Sequence, residues 1–167
     1  KVNGSDTGFT LGPRDPILGS PLTITLPPGT RSVTIEYQTS PAASGLQWLD
    51  AAQTAGKKSP FLYSQSQAIH ARSWVPLQDT PSVRFTFSAR IQAPAPLTPL
   101  MAAARLKAGH FHMPTPIPSY LLALAVGELD FRPIGARCGV WAEPPVLDKA
   151  AREFEDVEKM VQAAERL

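Results

Sequence analysis

The sequence holds a single cysteine, Cys138, in 167 residues, so no internal disulfide can staple the chain. That excludes a disulfide scaffold and leaves cytoplasm, periplasm and secretion all open. Long apolar runs are also missing. The longest, Tyr120 to Val126, is far short of the ~20 residues a membrane-crossing helix needs, and no secretory leader is visible. Charge is nearly balanced, at +2 overall, and Lys57-Lys58 is the one adjacent basic pair. Without a stripe of Lys and Arg interleaved with aromatics, nucleic acid is not an expected partner, and neither is a membrane.

The usual machinery of catalysis is missing as well. The chain has three histidines, His70, His110 and His112, and none belongs to a His-Glu-x-x-His zinc motif. His110 and His112 share one face of an expected strand, but no third ligand accompanies them at a telling spacing. Cys138 lies beside Gly139 and Val140, without the neighbouring base that a thiol nucleophile needs, and reads as a buried structural thiol. There is no Gly-x-Ser-x-Gly elbow, phosphate-binding loop or dinucleotide fingerprint. The chain as it stands is not expected to catalyse a reaction alone or to hold a metal.

What is present is proline, eighteen of them with eleven glycines, against 43% hydrophobic residues and 18% charged ones. So many prolines exclude an all-helical fold, because each one inside a helix removes a hydrogen bond and clashes with the preceding turn. The length suffices for one domain with a hydrophobic core. Strand alternation is clear. Leu22, Ile24 and Leu26 share a face opposite Thr23 and Thr25, Pro27-Pro-Gly29 turns the chain, and Val33, Ile35 and Tyr37 alternate with Thr34, Glu36 and Gln38. These two runs are expected to lie side by side. Val83, Phe85, Phe87, Ala89 and Ile91 point inward from a longer strand, which Pro94-Ala-Pro96 ends. Tyr120 to Val126 reads as a central strand and Cys138 to Ala142 as another short one.

Only the final stretch takes a helical period. It starts at Pro144-Pro145, and Leu147, Ala151, Phe154, Val157, Val161 and Ala164 recur three and four residues apart. Asp148 and Arg152, and Glu155 and Lys159, are expected as ion pairs one turn apart. The fold class is therefore all-β ending in a helix, with residues 1–143 as a β-rich domain and 144–167 as the helix leading away from it. The chain opens at Lys1 without a methionine and closes in a helical run with no Gly or Asn stop. On both counts it reads as part of a longer polypeptide.

The polar stretch from Ser40 to His70 is unusual, a long irregular loop rich in neutral amides and aromatics, and such loops in compact domains tend to be functional. Read on its residues alone, it serves equally well as a solvated connection between sheets. Its motifs come in order: Ser44-Gly-Leu-Gln-Trp-Leu49, Gln53-Thr-Ala-Gly-Lys57, Ser64-Gln-Ser-Gln-Ala-Ile-His70 and Gln78-Asp-Thr-Pro-Ser-Val83. Pro116 to Gly127 and Val140-Trp-Ala-Glu-Pro144 follow. Together they resemble the amino-terminal domain of the leukotriene A-four hydrolase and aminopeptidase B group of zinc aminopeptidases, from about residue 1 to the end.

The resemblance implies a saddle-shaped, sandwich-like β-domain standing before a thermolysin-like catalytic domain of the same polypeptide. That domain would carry the zinc and cleave amino-terminal residues from peptides. By the same likeness, the family's opening strands are absent here, and the hairpin between Met101 and His110 is shorter than usual. Carried over by motif position, Gln67 contacts the free α-amino group of a bound peptide, Gln65 lines the same pocket, and Ala68 offers a backbone contact. An ammonium has three donors and no acceptor, so amide oxygens suit it. Other branches of the superfamily place Glu where Gln67 stands, so with a neutral Gln the balancing carboxylates would come from the catalytic domain. The competing readings are a free-standing β-sandwich binding module without catalysis, and a scaffold that serves assembly alone.

Overall fold

The structure, a computed structural model, describes all residues from Lys1 to Leu167. Eleven short strands fall into four separate antiparallel sheets, and α-helix appears only at the end. β1 (Phe9–Leu11) pairs with β2 (Leu22–Ile24) as an isolated ribbon. A four-stranded sheet follows the order β3 (Leu46–Leu49), β4 (Phe61–Ser64), β9 (Leu124–Gly127), β6 (Thr98–Met101). A three-stranded sheet runs β5 (Arg84–Arg90), β8 (His110–Pro118), β7 (Ala104–Lys107). β10 (Asp130–Pro133) and β11 (Gly139–Ala142) make a hairpin against which α1 (Leu147–Glu153) packs.

β5 follows its sequence closely. Phe85, Phe87 and Ala89 turn toward Ile117, Met113 and Phe111 of β8, and Arg84, Thr86, Ser88 and Arg90 are exposed. His110 and His112 do share the outer face of β8. His112 Nδ1 meets the Ser88 hydroxyl at 2.9 Å, and His110 lies opposite Arg90 on one side and Lys107 on the other. Partial desolvation, then the charges of Lys107 and Arg90, lower the His110 pKa.

Several expectations fail, each for a local reason. The run from Leu22 does not pair with Val33 to Tyr37. Leu22–Ile24 is taken by β1, and the second run makes a single bridge, Val33 to Val2. Tyr120 to Val126 is not one strand. A tight turn over Ser119–Leu121 occupies its start, and the strand begins at Leu124, where it does take a central place between β4 and β6.

The terminal helix is broken. α1 ends at Glu153, residues around Glu155 tighten, and α2 (Val157–Ala164) sets off separately. This break brings Glu158 and Glu165 to the Arg137 guanidinium, at 2.9 and 2.6 Å. The expected one-turn ion pairs give way to nearer partners: Asp148 binds Arg132, and Lys159 binds Asp156 at 2.6 Å. Cys138 is half-buried rather than sealed in an apolar strand. The Glu158 carboxylate beside its thiol, together with burial, pushes its pKa up.

The core is thinner than the length allows. Only 18 of the 167 residues are buried, Phe111, Ala71, Trp74, Leu122 and Leu129 among them.

Candidate functional site

The polar stretch is built on the β3–β4 hairpin. Leu46 to Leu49 pair with Ser64 to Phe61, and the far end of the hairpin is closed by a reciprocal cap. The Gln53 amide N–H donates to the Asp50 carboxylate at 3.2 Å, and the Asp50 N–H donates to Gln53 Oε1 at 3.0 Å. Beyond it, the Ala55 and Gly56 amides donate to the two Glu143 oxygens at 2.9 and 3.1 Å, tying this loop to the chain just before α1.

At the other end of β4 the chain leaves the sheet through Gln65, Ser66, Gln67 and Ala68. The Gln65 N–H donates to Gly45 O at 2.9 Å, extending the ladder by one rung. Ser66 then turns inward and is buried, while Gln65, Gln67 and Ala68 are exposed. Its hydroxyl donates to Leu122 O at 2.8 Å and accepts from the Trp74 indole Nε1 at 3.2 Å, and its carbonyl accepts the His70 N–H at 2.9 Å. Buried polar groups are costly unless paired, so this serine fixes the main chain between two solvent-facing amides.

The amides are not equivalent. Gln65 Oε1 accepts the Gln67 N–H at 3.1 Å, so one lone pair of that oxygen is already used. A backbone N–H can be met only by an acceptor, which turns the Gln65 oxygen inward and its NH₂ outward. The Gln67 side chain makes no hydrogen bond within the chain, and the Gln67–Ala68 peptide bond is cis.

The floor beneath is packed to the ångström. Ser73 Oγ donates to His70 O at 2.7 Å and accepts the Gly45 N–H at 2.8 Å, and Ser44 Oγ meets His70 Nδ1 at 2.7 Å. A Cβ on Gly45 would stand 2.5 Å from His70 O, so only glycine fits that crossing. His70 is thus a fold residue. Further on, the buried Asp79 carboxylate accepts from the Arg72 N–H at 3.0 Å, from Arg72 Nε at 3.3 Å and from the Ser119 hydroxyl. No group of three or more His, Cys, Asp or Glu side chains could hold a metal ion.

The three residues expected from motif position therefore lie together at one exposed turn. Sequence reasoning passed over Ser66, Trp74, Asp79 and Glu143 as carriers of structure. Ser66, Asp79 and Glu143 sit inside quoted motifs and Trp74 between two of them, and a small polar residue set between two glutamines was the available sign.

Residues 18–121 match the Peptidase M1 N-terminal domain, and the chain belongs to that family. It is 47% identical over 175 residues to leucine aminopeptidase 2 of Yarrowia lipolytica, spanning 100% of this chain and 27% of that protein. It is 45% identical over 182 residues to leukotriene A-4 hydrolase of Xenopus laevis, spanning 99% of this chain and 30% of that one. Among solved structures, native leukotriene A4 hydrolase from Saccharomyces cerevisiae superposes with a TM-score of 0.86 at 36% identity, over 99% of this chain and 27% of the other. The chain spans under a third of the length of the relatives it matches.

Proposed function

We propose that the Gln65–Ala68 turn holds the α-ammonium group of a peptide substrate in a zinc aminopeptidase whose cleavage chemistry lies outside this chain. The observation that carries this reading is the buried Ser66, which presents two exposed amides in a fixed pose and leaves the Gln67 side chain unpaired. Gln67 Oε1 is the better acceptor for an ammonium, since the Gln65 oxygen already serves the turn. The aminopeptidase and hydrolase names of the relatives, and their length, support placing this domain beside a catalytic one in the same polypeptide. On that reading residues 1–143 form the β-domain and residues 144–167 begin the connection.

Zinc does not fit the residues of this chain, which bring no three ligands together. The domain's own part is to bind and orient: it sets one end of the substrate by hydrogen bonding to its charged amine, without burying a second charge.

A hydrogen bond to a charged group contributes about 1.5–3 kcal/mol. Gln67→Leu in the full-length enzyme is therefore expected to lower kcat/KM on aminoacyl substrates by roughly 10- to 100-fold. Steady-state kinetics on the variant measures this, and an unchanged kcat/KM would remove Gln67 from the pocket.

A further inference from the structure

Between Asp79 and Glu128 the sequence contains no aspartate or glutamate, and in that stretch stand Arg84, Arg90, Arg105 and Lys107. All four lie on the three-stranded sheet of β5, β8 and β7. Arg105 is occupied, its guanidinium 4.9 Å from the centre of the Trp141 ring. Arg84, Arg90 and Lys107 are exposed, and none of them joins an ion pair. Arginines elsewhere are taken: Arg72 by Asp79, Arg132 by Asp148, and Arg137 by Glu158 and Glu165.

The free cations share a face. Arg90 lies opposite His110, and His110 opposite Lys107, so three basic side chains stand in one row across three strands. Neighbouring strands run ~4.8 Å apart, well inside the ~8 Å over which physiological salt screens a charge, so the fields of the row add. Like charges directly opposite one another destabilise a sheet, and no carboxylate of this sheet relieves them. His110 registers the field: desolvation first, then Lys107 and Arg90, hold its pKa down. The next row sets the Ser88 hydroxyl against His112 Nδ1 at 2.9 Å. Arg84 extends the face, ~20 Å along β5 from Arg90.

We propose that the outer face of the β5–β8–β7 sheet is a docking surface for an extended acidic segment of a partner protein, whose carboxylates meet Arg84, Arg90, His110 and Lys107. The occupant follows from charge complementarity: the face offers N–H donors that carry charge and no acceptor that does. Alternate side chains of an extended peptide fall on one side ~7 Å apart, so about four carboxylates span the distance from Arg84 to Arg90. Nucleic acid fits this face less well. Phe85, Phe87 and Phe111 turn to the opposite side of the sheet, so bases have no Phe, Tyr or Trp ring here to stack on. The inference does not depend on the amine-pocket reading.

Fluorescence anisotropy of a labelled oligoglutamate peptide, titrated with the full-length protein at low salt, tests it. The expected result is binding that weakens on the order of 10-fold in the double variant Arg90→Glu/Lys107→Glu. It stays unchanged in Lys149→Glu/Arg152→Glu, which makes the same charge change at exposed positions of α1. The milder Arg90→Gln/Lys107→Gln gives an intermediate loss and guards against a reversal that disturbs folding. No binding by the unaltered protein overturns the proposal. So does an equal loss from both charge reversals, which makes the attraction a matter of net charge alone. Tighter binding of a single-stranded RNA of matched length, or of phosphatidylserine vesicles, also overturns it by assigning the face to another class of partner.

Discussion

Residues 44–79 and residues 1–39 are of similar length, yet they are held by different physics. In the first, the buried and half-buried polar groups find partners: Ser66 against Leu122 and Trp74, Ser73 between Gly45 and His70, Asp79 among Arg72 and Ser119. No buried side-chain nitrogen or oxygen is left unpaired. In the second, large apolar residues stay at the surface, with Ile17, Phe9 and Leu11 all mostly exposed. Hydrogen bonds there close short turns, such as Asp15 to Ile17 and Leu18, or tie the first residues to residues 31–34, as Asn3 Oδ1 does in accepting the Arg31 and Ser32 N–H groups. The contrast separates a region that specifies one geometry from a region whose large apolar side chains stay exposed. A site that must hold a ligand in a set pose belongs on the first kind.

The sharpest way to break that contrast is at Asp79. Its carboxylate serves two Arg72 donors and the Ser119 hydroxyl, and its side chain is almost wholly enclosed. Asp79→Ala strands those donors, and with a charged hydrogen-bond network lost the expected destabilisation is about 3 kcal/mol. A lowered denaturant midpoint with an unchanged slope is the signature. Next in size is Ser66→Ala, which orphans Leu122 O and the Trp74 indole N–H and is expected to cost roughly 1–2 kcal/mol. If either substitution were neutral in chemical denaturation, the polar interior would not be what fixes the turn.

Much of this was legible in advance, for identifiable reasons. Alternation placed Phe85, Phe87 and Ala89 correctly because β5 has one wet face and one dry face, so its period is unambiguous. The grouping of Gln65, Gln67 and Ala68 at one turn was legible from the motif. The inward Ser66 between them was not, since a serine reads as exposed unless its partners, 8 and 56 residues away, are known. The pairing of Leu22 to Leu26 with Val33 to Tyr37 misled because periodicity says that a strand has two faces and nothing about its neighbour. The terminal helix misled in a related way. Its apolar spacing is continuous through Phe154, and the break there serves Arg137, a residue on a different element.

The smallest effect, and the one that most sharpens the comparison, is expected at Ile17. Its side chain is 78% exposed at the tip of a turn held by Asp15, whose carboxylate accepts the Ile17 and Leu18 N–H groups at 2.7 Å. Those two bonds also lower the Asp15 pKa, that of Leu18 first. Ile17→Ser leaves both backbone bonds intact and removes almost no buried area. Stability should therefore shift by no more than about 0.5 kcal/mol, against an Ile of comparable size in a packed core, where truncation typically costs ~2–5 kcal/mol. Denaturant titration of the variant decides it. A loss above ~1 kcal/mol would mean that Ile17 already has an apolar partner in the molecule measured. A neutral result places the geometry of this stretch in its turn-closing hydrogen bonds rather than in apolar burial.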